Sequence, residues 1–67
     1  MDMPEYTNSQ ITEVIDEWIH SERDRRILKR RLVDGIAFEP LAEEFEMSPR
    51  GMKYLVYKLQ KEAFKHL

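Results

Sequence analysis

The stretch Glu46-Met47-Ser48-Pro49 constrains this chain more than any other. Ser48 is a helix N-cap by chemistry, because its hydroxyl can accept from an amide of the following turn. Pro49 suits the first helical position, where no amide hydrogen is needed. Just upstream, Phe38, Leu41, Ala42 and Phe45 recur at helical spacing and predict a shorter helix from about Phe38 to Phe45. Pro40 is compatible with that helix because it falls in the first turn. One helix must therefore end and another begin within a few residues. That is the layout of a helix-turn-helix, here about residues 38–60, whose second helix enters the DNA major groove.

Two further helices precede this pair. Ile11, Val14, Ile15, Trp18 and Ile19 recur at i, i+3, i+4, i+7 and i+8, with Thr7, Asn8 and Ser9 as candidate N-caps and an expected end near His20. Ser21 followed by Asp24 resembles a capping box with the shorter acid, and it opens a helix that turns Ile27, Leu28 and Leu32 inward. Gly35 stops that helix by taking the left-handed conformation cheaply. The expected fold is all-α with four helices, a single domain over residues 1–67 in which 1–8 form a flexible lead-in. A chain this short buries only about 60% of its unfolded surface, so a second copy of the chain or a larger assembly would usefully add contact area.

From Ser48 onward the pattern splits into two stripes. Met52, Leu55, Val56, Leu59 and Ala63 mark a buried face. Arg50, Lys53, Tyr54, Tyr57, Lys58 and Lys61 mark a second, exposed and cationic one. Long donors reach base edges and phosphates, and a tyrosine offers a ring to thymine methyls and a hydroxyl to phosphate. A cationic stripe on a lone helix is usually a solvated face; the short turn in front of this one points to DNA contact by Arg50, Lys53 and Tyr54, with Tyr57 and Lys58 behind them. Lys61 and Lys65 fall where only phosphate or water is in reach.

Net charge is −2, against the usual basic footprint of nucleic-acid binding, but the charge is segregated. Residues 1–22 carry acids only, and 23–33 are basic except for Asp24. Residues 34–47 are again acidic, and 48–67 are basic except for Glu62. The basic run from Arg23 to Arg31 has two readings left open: phosphate contact beside the groove, or ion pairs to the acidic first or third helix. Glu39, Glu43 and Glu44 face water or a basic partner. Trp18 is read as core or as a dimer seam, and Phe64 and Leu67 as packing against the first helix or a second copy.

Other chemistries lack their residues. There is no cysteine, which fits a reducing compartment and removes thiolate metal sites. His20 and His66 stand far apart with no serine or carboxylate arranged around them, and both read as surface or end-of-helix residues. No apolar run approaches the roughly 18 residues of a membrane span, and the first residues lack the pattern of a secretory signal. The expectation is a cytoplasmic protein with no enzymatic activity, no cofactor, no bound metal and no membrane partner.

The segments Glu22-Arg23-Asp24-Arg25-Arg26-Ile27-Leu28, Asp34-Gly35, Leu41-Ala42-Glu43-Glu44-Phe45 and Met47-Ser48 fall in the order and spacing of region 4 of bacterial sigma factors. With Met52-Lys53 through Leu59, the chain resembles that region over about two-thirds of its length. It is also similar to the small stand-alone proteins of this type in phages and mobile elements of low-GC Gram-positive bacteria. The resemblance implies a sigma factor region 4-like, four-helix fold whose last helix reads promoter DNA, with RNA polymerase as a further partner. It places the DNA-facing positions on Pro49, Arg50, Lys53 and Tyr54. Nothing resembles the sigma region that melts DNA, so a complete sigma factor is not expected. Three residues depart from the family pattern. Glu46 replaces the turn glycine and predicts a strained or rearranged turn. Ala37 replaces a Ser or Thr cap, at a cost of about 0.5–2 kcal/mol. Gly51 weakens the last helix by up to about 1 kcal/mol while offering room for close approach to DNA.

The leading expectation is a sequence-specific transcription regulator or sigma-like factor that binds double-stranded DNA. Two alternatives stand beside it: an adaptor that docks on RNA polymerase or a sigma partner without reading DNA, and a phage packaging or recombination protein.

Overall fold

A computed structural model describes residues 6–65. They form four helices: α1 (Asn8–Trp18), α2 (Glu22–Leu32), α3 (Phe38–Glu44) and α4 (Pro49–Phe64). The described residues form a compact all-α domain without strands. The expectations for residues 1–5, His66 and Leu67 lie outside the described residues.

Each helix starts where a side chain can satisfy its free amides, with one exception. Thr7 caps α1 through a full capping box: Gln10 N–H donates to Thr7 Oγ1 at 3.1 Å, and Thr7 N–H donates to Gln10 Oε1 at 2.8 Å. Ser21 Oγ accepts from Asp24 N–H at 3.3 Å, but the reciprocal half of a box is not made, because the Asp24 carboxylate takes the Arg23 guanidinium at 3.1 Å instead. Ser48 Oγ accepts from Gly51 N–H at 3.0 Å with Pro49 beginning α4. Ala37 has the extended backbone of an N-cap but no side-chain bond to offer, so α3 starts uncapped.

The helix ends differ more from the sequence expectation. α1 stops at Trp18 rather than near His20, because Ile19 is already extended (φ −103°, ψ 115°) while its N–H still reaches Ile15 O. Arg25 of α2 closes this end from outside its own helix, donating to the carbonyls of Ile19 and Asp16. Gly35 takes φ +73° past α2, as its position predicts. The turn after α3 keeps its form although it has no glycine. Glu46 adopts φ +57°, its N–H donates to Glu43 O at 3.2 Å, and Met47 N–H donates to Ala42 O at 2.8 Å. This is the paired bonding of a Schellman motif with glutamate in the left-handed position. The rearrangement that Glu46 led us to expect does not occur, and strain is accepted in its place.

The core is shared by all four helices. Ile15, Ile27, Leu28, Leu41, Met52 and Val56 are fully enclosed, with Val14, Ile19, Ala42, Leu59 and Ala63 completing the cluster. Trp18 falls on the apolar stripe of α1 yet is 38% exposed, so its reading as a core residue does not hold. α2 and α4 each pack against every other helix, whereas α1 and α3 do not pack on one another. At the open end of α4, half-buried Phe64 lies against the core, with its ring 6.2 Å from that of Tyr6. Among the described residues no helix is long and apolar enough to cross a membrane.

The two left-handed residues and the missing cap set three expected outcomes for urea denaturation. Glu46→Gly should stabilise the domain by about 0.5–1 kcal/mol, since relief of left-handed strain outweighs the added freedom of the unfolded chain. Gly35→Ala should destabilise it by about 1 kcal/mol through φ alone, because no atom lies within 4 Å of where its Cβ would sit. Ala37→Ser should stabilise by about 1 kcal/mol by supplying the absent cap. A loss of stability in Glu46→Gly would contradict the strain assigned to that turn.

Candidate nucleic-acid interface

At about 100° per residue, the helical wheel of α4 divides cleanly. Met52, Val56, Leu59 and Ala63 are buried on one side. Arg50, Tyr54, Tyr57 and Lys61 occupy the opposite side, Lys53 and Lys58 lie on its two flanks, and all six are exposed. Pro49 is exposed as well, at the first position of the helix and nearer its buried side. All six residues singled out from sequence, Pro49, Arg50, Lys53, Tyr54, Tyr57 and Lys58, therefore sit on accessible surface of one helix. That helix begins immediately after the tight turn at Glu46 and Met47.

Electrostatics separates α4 from the other basic segment. On α2, Lys29 Nζ is 2.8 Å from Asp16 Oδ1 of α1, and Arg30 bridges Asp34 at 3.2 Å and Glu44 of α3 at 2.9 Å. Those partners, Glu44 first and then Asp34, hold the Arg30 guanidinium above its ordinary pKa. Arg25 is spent on the carbonyls at the end of α1, and Arg31 donates to Ile36 O at 2.9 Å. Of the two readings of this run, the geometry supports internal ion pairing and capping for these four residues, while Arg26 is exposed and has no ion-pair partner among the described residues. On α4, by contrast, Arg50, Lys53, Lys58 and Lys61 have no ion-pair partner among the described residues.

The start of α4 is left electropositive. α2 carries Glu22 and Asp24 in its first turn and α3 carries Glu39, which offset the positive end of each helix. α4, like α1, has no acid in its first turn, and it bears Arg50 there. Gly51 does not open this region to an outside backbone. A Cβ at that position would lie 3.0 Å from Ser48 Oγ and 3.9 Å from Met47 Cε, so the space it leaves is taken up by the cap of its own helix.

One arrangement was not foreseen from sequence. The Tyr57 ring stands edge to face with Phe38 of α3, at a centroid distance of 5.9 Å and an interplanar angle of 83°. The Arg31 guanidinium of α2 lies 4.1 Å from the centroid of the same Phe38 ring. The apolar spacing of α3 identifies Phe38 only as an inward residue, and its role between two polar side chains depends on how three helices meet. Tyr54, at 73% exposed, makes no comparable contact among the described residues.

A concave surface elsewhere on the domain has a different character. The groove between α1 and α2 is lined by Asp16, Glu22, Arg25, Arg26, Lys29 and Arg30, with both signs of charge interleaved. Among the described residues no three metal-ligating side chains lie together. Compared with known protein families, curated proteins and solved structures, the chain matches none of them.

Proposed function

We propose that this protein is a sequence-specific DNA-binding protein, a transcription regulator or sigma-like factor whose α3–turn–α4 unit acts as a helix-turn-helix. The observation that carries this reading is that Arg50, Lys53, Lys58 and Lys61 of α4 have no ion-pair partner among the described residues, whereas Arg25, Lys29, Arg30 and Arg31 of α2 are bonded within the domain. Ion pairs within a folded domain cost side-chain freedom and return little at the surface. A stripe of exposed cations that form none among the described residues, on a helix with no acid in its first turn, has the charge pattern that a polyanion neutralises.

In this reading the first two turns of α4 enter the major groove. Arg50 and Lys53 donate to base edges or phosphates, and Tyr54 lays its ring against a thymine methyl. Pro49 packs beside the backbone at the mouth of the groove, and Lys58 reaches a phosphate at the margin. The exposed acids of α1 and α3, Glu13, Glu17, Glu39 and Glu43, keep the other faces of the domain off the duplex. They also suit a basic protein partner, and RNA polymerase is the partner that the resemblance to sigma region 4 supplies. One such unit reads only a few base pairs, so the isolated chain should bind mixed sequence in the range of roughly 10⁻⁴ to 10⁻⁶ M. A second copy or a polymerase partner would supply the remaining specificity, and a dimer would require half-sites about one helical turn apart.

Titration into mixed-sequence duplex at two salt concentrations tests the proposal. Affinity should fall steeply with salt. Arg50→Ala, Lys53→Ala and Lys58→Ala combined should bind more weakly, with a log–log slope shallower by up to about 0.9 per phosphate contact removed. Absence of binding by the parent protein at low salt would sink the DNA reading and favour the adaptor that docks on polymerase, which a pull-down with RNA polymerase then measures directly.

A further inference from the structure

We infer that Phe38 is a positioning residue that pre-orients Tyr57 for a DNA phosphodiester at the wall of the groove. The inference rests on the DNA reading above and deepens it. Tyr57 lies two turns beyond Arg50 on the same stripe, about 10 Å further along the helix axis. The major groove is about 12 Å wide. With Arg50 at the base edges, the Tyr57 side chain therefore emerges where the neighbouring DNA chemistry is a phosphate oxygen rather than a base. Its hydroxyl has no hydrogen-bond partner among the described residues and is available to donate there.

The two tyrosines of the stripe are held differently. Among the described residues no side chain fixes the Tyr54 ring, which must give up rotamer freedom when it binds. Tyr57 is 55% exposed, but the ring is set edge to face against Phe38, so its direction is chosen before DNA arrives. Phe38 is itself held. It packs against the core at the start of α3, and Arg31 lies over its ring while tied to Ile36 O at 2.9 Å. Side chains from α2, α3 and α4 thus act in series on one hydroxyl. Phe38 is half-buried, and its effect on binding passes through Tyr57.

A double-mutant cycle on the whole chain separates this role from a purely structural one. Tyr57→Phe keeps the ring and removes the hydroxyl; it should weaken binding by roughly five- to tenfold on every sequence tested and leave the salt slope unchanged. Phe38→Leu should weaken binding by roughly two- to tenfold in the parent background and have almost no further effect when Tyr57→Phe is already present. In the free protein, the Tyr57 ring-proton shifts should move toward random-coil values in Phe38→Leu while circular dichroism stays that of the parent. Additive losses in the cycle, or unmoved Tyr57 shifts in Phe38→Leu, overturn the proposal while leaving DNA binding intact. If the parent protein binds no DNA at low salt, this inference falls together with the function it rests on.

Discussion

The structure depends on one helix having two incompatible faces. α4 supplies Met52, Val56, Leu59 and Ala63 to the core and packs against α1, α2 and α3, while its opposite side carries the unpaired cations and both exposed tyrosines of the stripe. Its buried side chains fix the rotation of the helix, because turning it by a single residue would bring Lys53 and Tyr57 into the core and Leu59 to the exposed place of Lys58. The direction in which Arg50, Lys53 and Tyr54 point is therefore set by hydrophobic packing behind them. In a domain of this size, burial of Met52 and Val56 contributes a few kcal/mol to a total stability of the same order as that of other small domains. Core and surface stripe cannot be altered independently.

The charges of α2 follow from the same geometry. α2 also touches every other helix, and its flanks meet α1 and α3, the two helices that do not pack on each other. Lys29–Asp16 and Arg30–Glu44 span those two junctions, and Arg25 closes the end of α1. These cations are thereby removed from service as ligands for an outside anion. At the surface such pairs contribute only about 0–1 kcal/mol each. Their larger consequence is for the field of the molecule. A chain of net charge −2 can still attract a polyanion to one side when the cations left without an ion pair are concentrated along α4 and exposed acids lie on α1 and α3.

Much of this was legible in the sequence, and the parts that were not share a cause. The stripe of α4, the caps at Thr7, Ser21 and Ser48 and the break at Gly35 depend on residues a few positions apart, and local chemistry determines them. Trp18 shows the limit. It sits at the correct phase of the apolar face of α1, but phase gives a direction and not a depth of burial, and α1 ends at this residue with Ile19 already extended. Arg25 at the end of α1, and Phe38 between Arg31 and Tyr57, are contacts between helices that periodicity does not locate. At Glu46 the residue type argued for a changed turn. The two Schellman hydrogen bonds and the need to bring α4 back across α3 outweighed a penalty of about 1–2 kcal/mol.

α3 is the element for which these tensions add up. It has seven residues, no N-terminal side-chain cap, a proline in its first turn and a strained residue just beyond its end, so its local preferences alone would not keep it helical. It persists because Leu41 and Ala42 are buried against the rest of the core and because Glu44 is held by Arg30. Its order is therefore borrowed from α2 and α4. Phe38, at the first residue of this dependent helix, is where that borrowing reaches the surface stripe. Any change that loosens α3 locally at Phe38 releases Tyr57 from its aromatic partner, while Arg50 and Lys53, held by the cap of α4 and by its packing on the core, keep their places. The stripe thus divides into a head fixed by the capped start of α4 and a tail whose orientation depends on α3 staying docked.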